Sequence, residues 1–149
     1  MIFNEKYTLA NGVEIPKLGL GTWMISDENV VDAVVQAIKM GYRHIDTAQA
    51  YFNEVGVGKG VKASGIPRNE IFVTTKLAAE VKSYEDAVAS IEGSLQKLDI
   101  EYIDLMIIHS PKPWANFLES ESYFEGNLAA WKALEEAYAK AECPVISNN

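Results

Sequence analysis

Four residues of this 149-residue chain could do acid–base chemistry together: Asp46, Tyr51, Lys76 and His109. Asp46 follows the apolar Ile45, and Tyr51 comes soon after it, ahead of Asn53-Glu54. Lys76 closes the apolar run that starts at Ile71, and His109 closes the run that ends at Ile108. Ionisable groups at the ends of apolar runs are expensive unless paired, and an Asp46–Lys76 pair offsets that cost. A phenol, with an ordinary pKa of about 10, is a poor acid at neutral pH. An ammonium beside it favours the phenolate and eases proton donation. A carboxylate holds that ammonium in place and keeps it charged. A histidine can hydrogen-bond a substrate oxygen and orient its carbonyl. This set suits protonation of a developing alkoxide. The hydride that must accompany the proton comes from no side chain, so the set implies a nicotinamide cofactor.

The elements that must position these residues repeat along the chain. A hairpin comes first: Tyr7–Leu9 and Val13–Ile15 flank Ala10-Asn11-Gly12, and Asn-Gly is a strong turn signal. Pro16 is expected to end the pairing. Leu18–Leu20 then reads as a short strand, followed by Gly21-Thr22-Trp23. Ser26 can cap a helix carrying Val30, Val34, Ala37 and Ile38, which Gly41 stops. His44–Asp46 reads as the next strand, and Asn53 as the cap of a helix carrying Val57 and Val61. Ile71–Lys76 is a third strand, rich in β-branched and aromatic residues. Ser83 with Asp86 resembles a capping box ahead of Val88, Ile91, Leu95 and Leu98. Tyr102–Ile108 is a fourth strand, and Leu128, Trp131, Leu134 and Tyr138 mark another helix. Val145-Ile146 can begin a fifth strand.

The order is therefore a hairpin, β-α four times, and a possible further β, with a repeat of about thirty residues, the size of a βα unit. Continuous apolar strands alternating with one-faced helices predict an α/β fold with a parallel sheet. Two architectures compete, a doubly wound open sheet and a (β/α) barrel. Gly19-Leu20-Gly21-Thr22-Trp23 begins like a dinucleotide-binding glycine fingerprint, but Met24 stands where glycine or alanine is required. The hairpin could plug the bottom of a barrel. In either sheet Asp46, Lys76 and His109 share the C-terminal rim, where neighbouring strands lie about 4.8 Å apart.

Bulk composition narrows the classes. Hydrophobic residues make up 48% of the chain, enough for one globular domain over 1–149. A formal charge of −8 argues against a nucleic-acid binder and gives no support to an anionic membrane surface as partner. Cys143 is the single cysteine, so no internal disulfide can form, and no Cys/His cluster predicts a metal site. The start, MIFNEKYTLANG, lacks a signal-peptide pattern, and a cytoplasmic location is expected.

The stretches GLGTW (Gly19–Trp23), GYRHIDTAQAYFNE (Gly41–Glu54), VTTKL (Val73–Leu77) and IDLMIIHSP (Ile103–Pro111) resemble the aldo-keto reductase family. The resemblance runs from about Tyr7 to Lys140. It implies a (β/α)8 barrel, of which this chain would be the N-terminal portion, reducing small aldehydes or ketones with NADPH, NADH remaining open. It implies Tyr51 as general acid, with Asp46, Lys76 and His109 completing a tetrad. It places Gly21, Thr22, Trp23 and Asp46 by the cofactor, and Trp23, His109 and Trp114 by the substrate. Tyr42, His44 and Glu54 resemble structural neighbours in the family.

The departure lies at the C-terminus, where the chain reads AKAECPVISNN. Ser147-Asn148 is aligned with the family's pair that holds the nicotinamide carboxamide, at the expense of a deletion. The family's main sites for the pyrophosphate and 2′-phosphate would fall beyond Asn149, so a truncated or altered member is expected. A homodimer covering the open barrel edges is one expectation for it. Two rival functions use the same residues: an inactive fragment or assembly partner, and a Schiff-base lyase with Lys76 as nucleophile.

Overall fold

Strand order decides between the two architectures. In the computed structural model, which describes residues 1–140 and 142–143 together with the backbone of 145–147, five parallel strands lie in the order β3-β4-β5-β6-β7. They are Leu20–Gly21, His44–Asp46, Phe72–Leu77, Leu105–Ile108 and Val145–Ser147. A doubly wound sheet reverses its strand order at a switch point. Here the order in space is the order in the chain, which is the rule of a (β/α) barrel. Helices α1 (Asp27–Met40), α2 (Glu54–Ala63), α3 (Tyr84–Leu98) and α4 (Phe124–Ala139) follow β3, β4, β5 and β6 in turn, and each packs on the next. The fold is a partial barrel: four βα units and the fifth strand.

The hairpin forms a separate two-stranded sheet, β1 (Lys6–Thr8) with β2 (Glu14–Pro16). Pro16 ends the pairing, as expected, from inside the strand. It is the last paired residue, opposite Lys6, a position an edge strand tolerates because no ladder donor is needed there. Phe3, Lys6, Val13, Glu14 and Pro16 line one cleft with Arg43, Ile71, Phe72 and Asp104. The hairpin thus sits at the N-terminal ends of β4, β5 and β6, as a bottom plug would. Several sequence boundaries move. The first barrel strand is only Leu20–Gly21, and the fourth begins at Leu105 rather than Tyr102. Arg68 shapes that stretch, donating to the carbonyls of Ile100 and Tyr102 and to the Asp104 carboxylate.

Side-chain alternation along the strands divides the molecule. Ile45, Val73, Leu77 and Met106 are buried against the helices, with Val34 of α1, Val57 of α2, Ile91 of α3 and Leu134 of α4. The intervening residues His44, Asp46, Thr74 and Lys76 point to the other face, the barrel interior. Helix starts follow the capping signals. The Ser26 hydroxyl accepts from the Asn29 N–H, and the Ser83 hydroxyl accepts from the Asp86 N–H. Gly41, at φ 108°, ends α1 in the left-handed conformation. Close approach of α2 to its neighbours depends on Gly56 and Gly58, where an added Cβ would lie 2.1 Å from the Asp27 carbonyl and 1.8 Å from the Leu98 carbonyl.

Candidate active site

Asp46 is the last residue of β4, Lys76 the penultimate residue of β5, and His109 the first residue after β6. The parallel register sets Asp46 beside Thr74 and Lys76 beside Ile107, so all three reach one rim. Tyr51 comes from a 3-10 turn, Gln49–Tyr51, which the left-handed Phe52 (φ 56°) terminates before α2 begins. The turn carries the phenol back over the strand ends.

The lysine sits at the centre. Its Nζ donates to Asp46 Oδ1 at 2.6 Å and to the Thr47 carbonyl at 2.7 Å, and it lies 3.4 Å from Tyr51 Oη. Lys76 is only 8% exposed. A buried ammonium with a carboxylate and a carbonyl as acceptors is both neutralised and immobilised. His109 meets the Tyr51 ring edge-on at 5.8 Å and the Trp114 ring edge-on at 5.4 Å. Burial, and then the Lys76 charge, lower the His109 pKa, so its ring is neutral at neutral pH. Its Nδ1 is buried without a partner among the described residues. The sequence-predicted tetrad is thus brought together.

The other expected residues fall at the same rim with one exception. Gly21 pairs with Asp46 across β3 and β4, and a Cβ added there would meet nothing within 4 Å. Thr22 is fully buried, its N–H and hydroxyl both donating to the Asp46 carbonyl. Trp23 is 70% exposed beside it. Trp114 opens the short 3-10 turn after β6 and stacks on Phe117. Ser147 ends β7, its backbone paired beside Ile107, and Asn148 lies outside the described residues.

Some contacts around the site were not foreseen. The Thr47 carbonyl is the second acceptor for Lys76. Asn53 occupies the first position before α2, as expected of a cap, yet its side chain makes no capping bond. Instead its amide donates to the carbonyls of Thr22 and Ile25, and its oxygen accepts from the Thr47 hydroxyl. This completely buried amide therefore stitches the β3 loop to the β4 loop. Glu54 is buried and accepts from the Thr75 hydroxyl, next to Lys76. Glu80 accepts from the Trp114 N–H at 3.4 Å. The polar letters Thr47, Gln49 and Asn53 were the available signal, but their partners are far away in sequence.

A parallel sheet in chain order, with an Asp-Lys-Tyr-His cluster at its C-terminal rim, is the arrangement of a partial (β/α) barrel with a candidate site at the end where such barrels build theirs. The family model for the aldo/keto reductase family matches residues 17–146, and the chain belongs to that family. It is 44% identical over 140 residues to a 9,11-endoperoxide prostaglandin H2 reductase from Trypanosoma cruzi, covering 93% of this chain and 46% of that protein. It is 43% identical over 139 residues to a glyoxal reductase from Bacillus subtilis, with coverage of 93% and 46%. The fold superposes on the crystal structure of an aldo/keto reductase from Brucella melitensis with a TM-score of 0.85 at 39% identity, covering 97% of this chain and 53% of the other. A Bombyx mori aldo-keto reductase in complex with NADP gives 0.83 at 34% identity, with coverage of 97% and 50%. The chain spans about half the length of the relatives it matches. Among the described residues no helix is long and apolar enough to cross a membrane.

Proposed function

We propose that this site reduces small aldehydes or ketones to alcohols, with NADPH as the hydride source. The observation that carries the reading is Lys76 Nζ, held at 2.6 Å by Asp46 and lying 3.4 Å from Tyr51 Oη. A phenol beside a fixed ammonium is a proton donor, and a reduced carbonyl needs one. The glyoxal reductase and the NADP-bound structure among the relatives support the substrate class and the cofactor.

The donor set fits the nicotinamide end of the cofactor. Gly21 leaves open space beside Asp46, where an added Cβ would meet nothing within 4 Å among the described residues. When bound, the nicotinamide supplies the hydride that the side chains cannot. Thr22, Trp23 and Asp46 would line its ring. The protein's own steps follow from the geometry. His109 orients the substrate carbonyl by a hydrogen bond to its oxygen. As the carbonyl carbon gains its C–H bond, the oxygen takes the Tyr51 proton. Lys76 stabilises the phenolate left behind. Trp114 forms a wall on the far side of His109. A Schiff-base role for Lys76 fits poorly, because an ammonium held by two acceptors is a weak nucleophile.

The test is consumption of NADPH, followed by absorbance with simple aldehydes. Turnover by the unaltered chain and its loss in Tyr51→Phe are expected. Turnover that survives Tyr51→Phe unchanged removes Tyr51 from the role.

A further inference from the structure

We propose that Gln49 is a positioning residue that clamps the Tyr51 turn to the strand carrying Lys76, and so sets the separation between phenol and ammonium. This rests on the reading of Tyr51 as proton donor.

Gln49 is the first residue of the 3-10 turn whose last residue is Tyr51. Its side chain leaves the turn and makes three hydrogen bonds. Its Oε1 accepts from the Ala78 N–H at 2.9 Å, and its Nε2 donates to the Ser90 carbonyl and the Ser94 hydroxyl, each at 2.9 Å. Ala78 is the residue just past β5, two positions beyond Lys76. Ser90 and Ser94 lie one turn apart on α3, and Ser94 is buried. One amide thereby joins three pieces: the phenol's turn, the end of the lysine's strand, and the helix behind that strand.

The backbone alone leaves this turn loosely held on its far side. Before it, the Thr47 N–H donates to the Thr74 carbonyl, which ties the start of the loop to β5. Within the turn, the Tyr51 N–H bonds only to Ala48 and the Phe52 N–H only to Gln49. Phe52 itself is largely exposed and cannot anchor the turn by burial. Among the described bonds, the Gln49 amide is the side-chain link from the turn to the end of β5 and to α3, beside the long contact of Tyr51 Oη with Lys76 Nζ. The 3.4 Å between Lys76 Nζ and Tyr51 Oη is already at the long end of hydrogen-bond reach. Proton donation is sensitive to such a distance, so a small drift of the turn acts on chemistry rather than on binding.

The experiment uses the full chain carrying 3-fluorotyrosine, with the Tyr51 resonance assigned by its loss in Tyr51→Phe. Gln49→Met keeps the size of the side chain and removes all three bonds. It is expected to shift or broaden the Tyr51 line while the distant Tyr7 and Tyr138 lines stay in place. Gln49→Glu keeps the acceptor for the Ala78 N–H and is expected to restore part of the native line. Ser94→Ala removes one anchor without touching the turn. It gives a smaller shift of the same line, which keeps the test alive if Gln49→Met does not fold. In the activity arm, Gln49→Met lowers kcat by about 10- to 100-fold with KM little changed. A Tyr51 line unmoved by both Gln49→Met and Ser94→Ala overturns the clamp. Absence of turnover in the unaltered chain overturns the reductase reading alone, since the resonance arm does not depend on activity.

Discussion

The Thr75 hydroxyl donates a 2.7 Å hydrogen bond to the buried carboxylate of Glu54. Thr75 precedes Lys76 in β5, and Glu54 opens α2. Their side chains face the helices, on the opposite side of the strand from the lysine. The pair ties the helix that follows the Tyr51 turn to the strand that carries Lys76. It gives an acidic residue of the sequence motif a structural purpose outside the reaction. Glu54→Ala should destabilise the fold by about 1–3 kcal/mol, because the buried Thr75 hydroxyl loses its partner. Glu54→Gln keeps an acceptor and should cost clearly less. Urea unfolding of the two variants checks this; equal losses would show that the bond to Thr75 is not what matters.

The α2 glycines give a second contrast. An alanine in a helix is ordinarily better than glycine by about 1 kcal/mol. At Gly58 the added methyl would sit 1.8 Å from the Leu98 carbonyl, a backbone atom that cannot swing aside. Overpacking of this kind costs about 1–3 kcal/mol or more, so Gly58→Ala should be destabilising. Gly93 in α3 has nothing within 4 Å of its added Cβ. Gly93→Ala should therefore stabilise by about 0.5–1 kcal/mol. Thermal melts of both variants test the pair, and a stabilised Gly58→Ala would contradict the α2–α3 contact.

Stability should fall on mild acidification. Burial is the first cause lowering the pKa of both His44 and His109. As pH drops through the ordinary histidine value of about 6.5, the unfolded chain takes up protons that the folded chain resists. The unfolded state then binds more protons, so the stability present above that value is lost on the way down to the folded values. His44 also bonds Thr74 Oγ1 at 2.9 Å inside the sheet. Urea midpoints at about pH 7.5 and about pH 5.5 should differ, and His44→Gln should narrow the difference. An unchanged difference would mean that His44 titrates freely.

Cys143 should be inert. Burial pushes its thiol up to about 12, and the residue is completely buried. Thiolate, not thiol, is the reactive form. A disulfide reagent at mildly alkaline pH should leave the native chain unmodified and label one thiol per chain once denaturant is added. Rapid labelling of the native chain would show that the cover over β6 and α4 opens readily.

The candidate site was legible in the sequence because ionisable residues stood at the ends of apolar runs. Asp46, Lys76 and His109 announced themselves that way, and a parallel sheet made their convergence necessary. The helices were legible for a related reason: caps such as Ser26, Ser83 and Gly41 act within a few residues of themselves, and apolar spacing is a local property. Choosing a barrel over a doubly wound sheet was not local. Only the strand order, set by how each helix packs on the next, decided it. The same holds for the polar residues that build the site's frame. Asn53 reads as a helix cap, since that is what asparagine does before a helix, yet its amide is spent on Thr22 and Ile25. Gln49 is given no role from the sequence, yet it joins the Tyr51 turn to Ala78, Ser90 and Ser94. An amide bonds whatever acceptor the fold brings within about 3 Å, and that neighbour is chosen by tertiary packing, far along the chain.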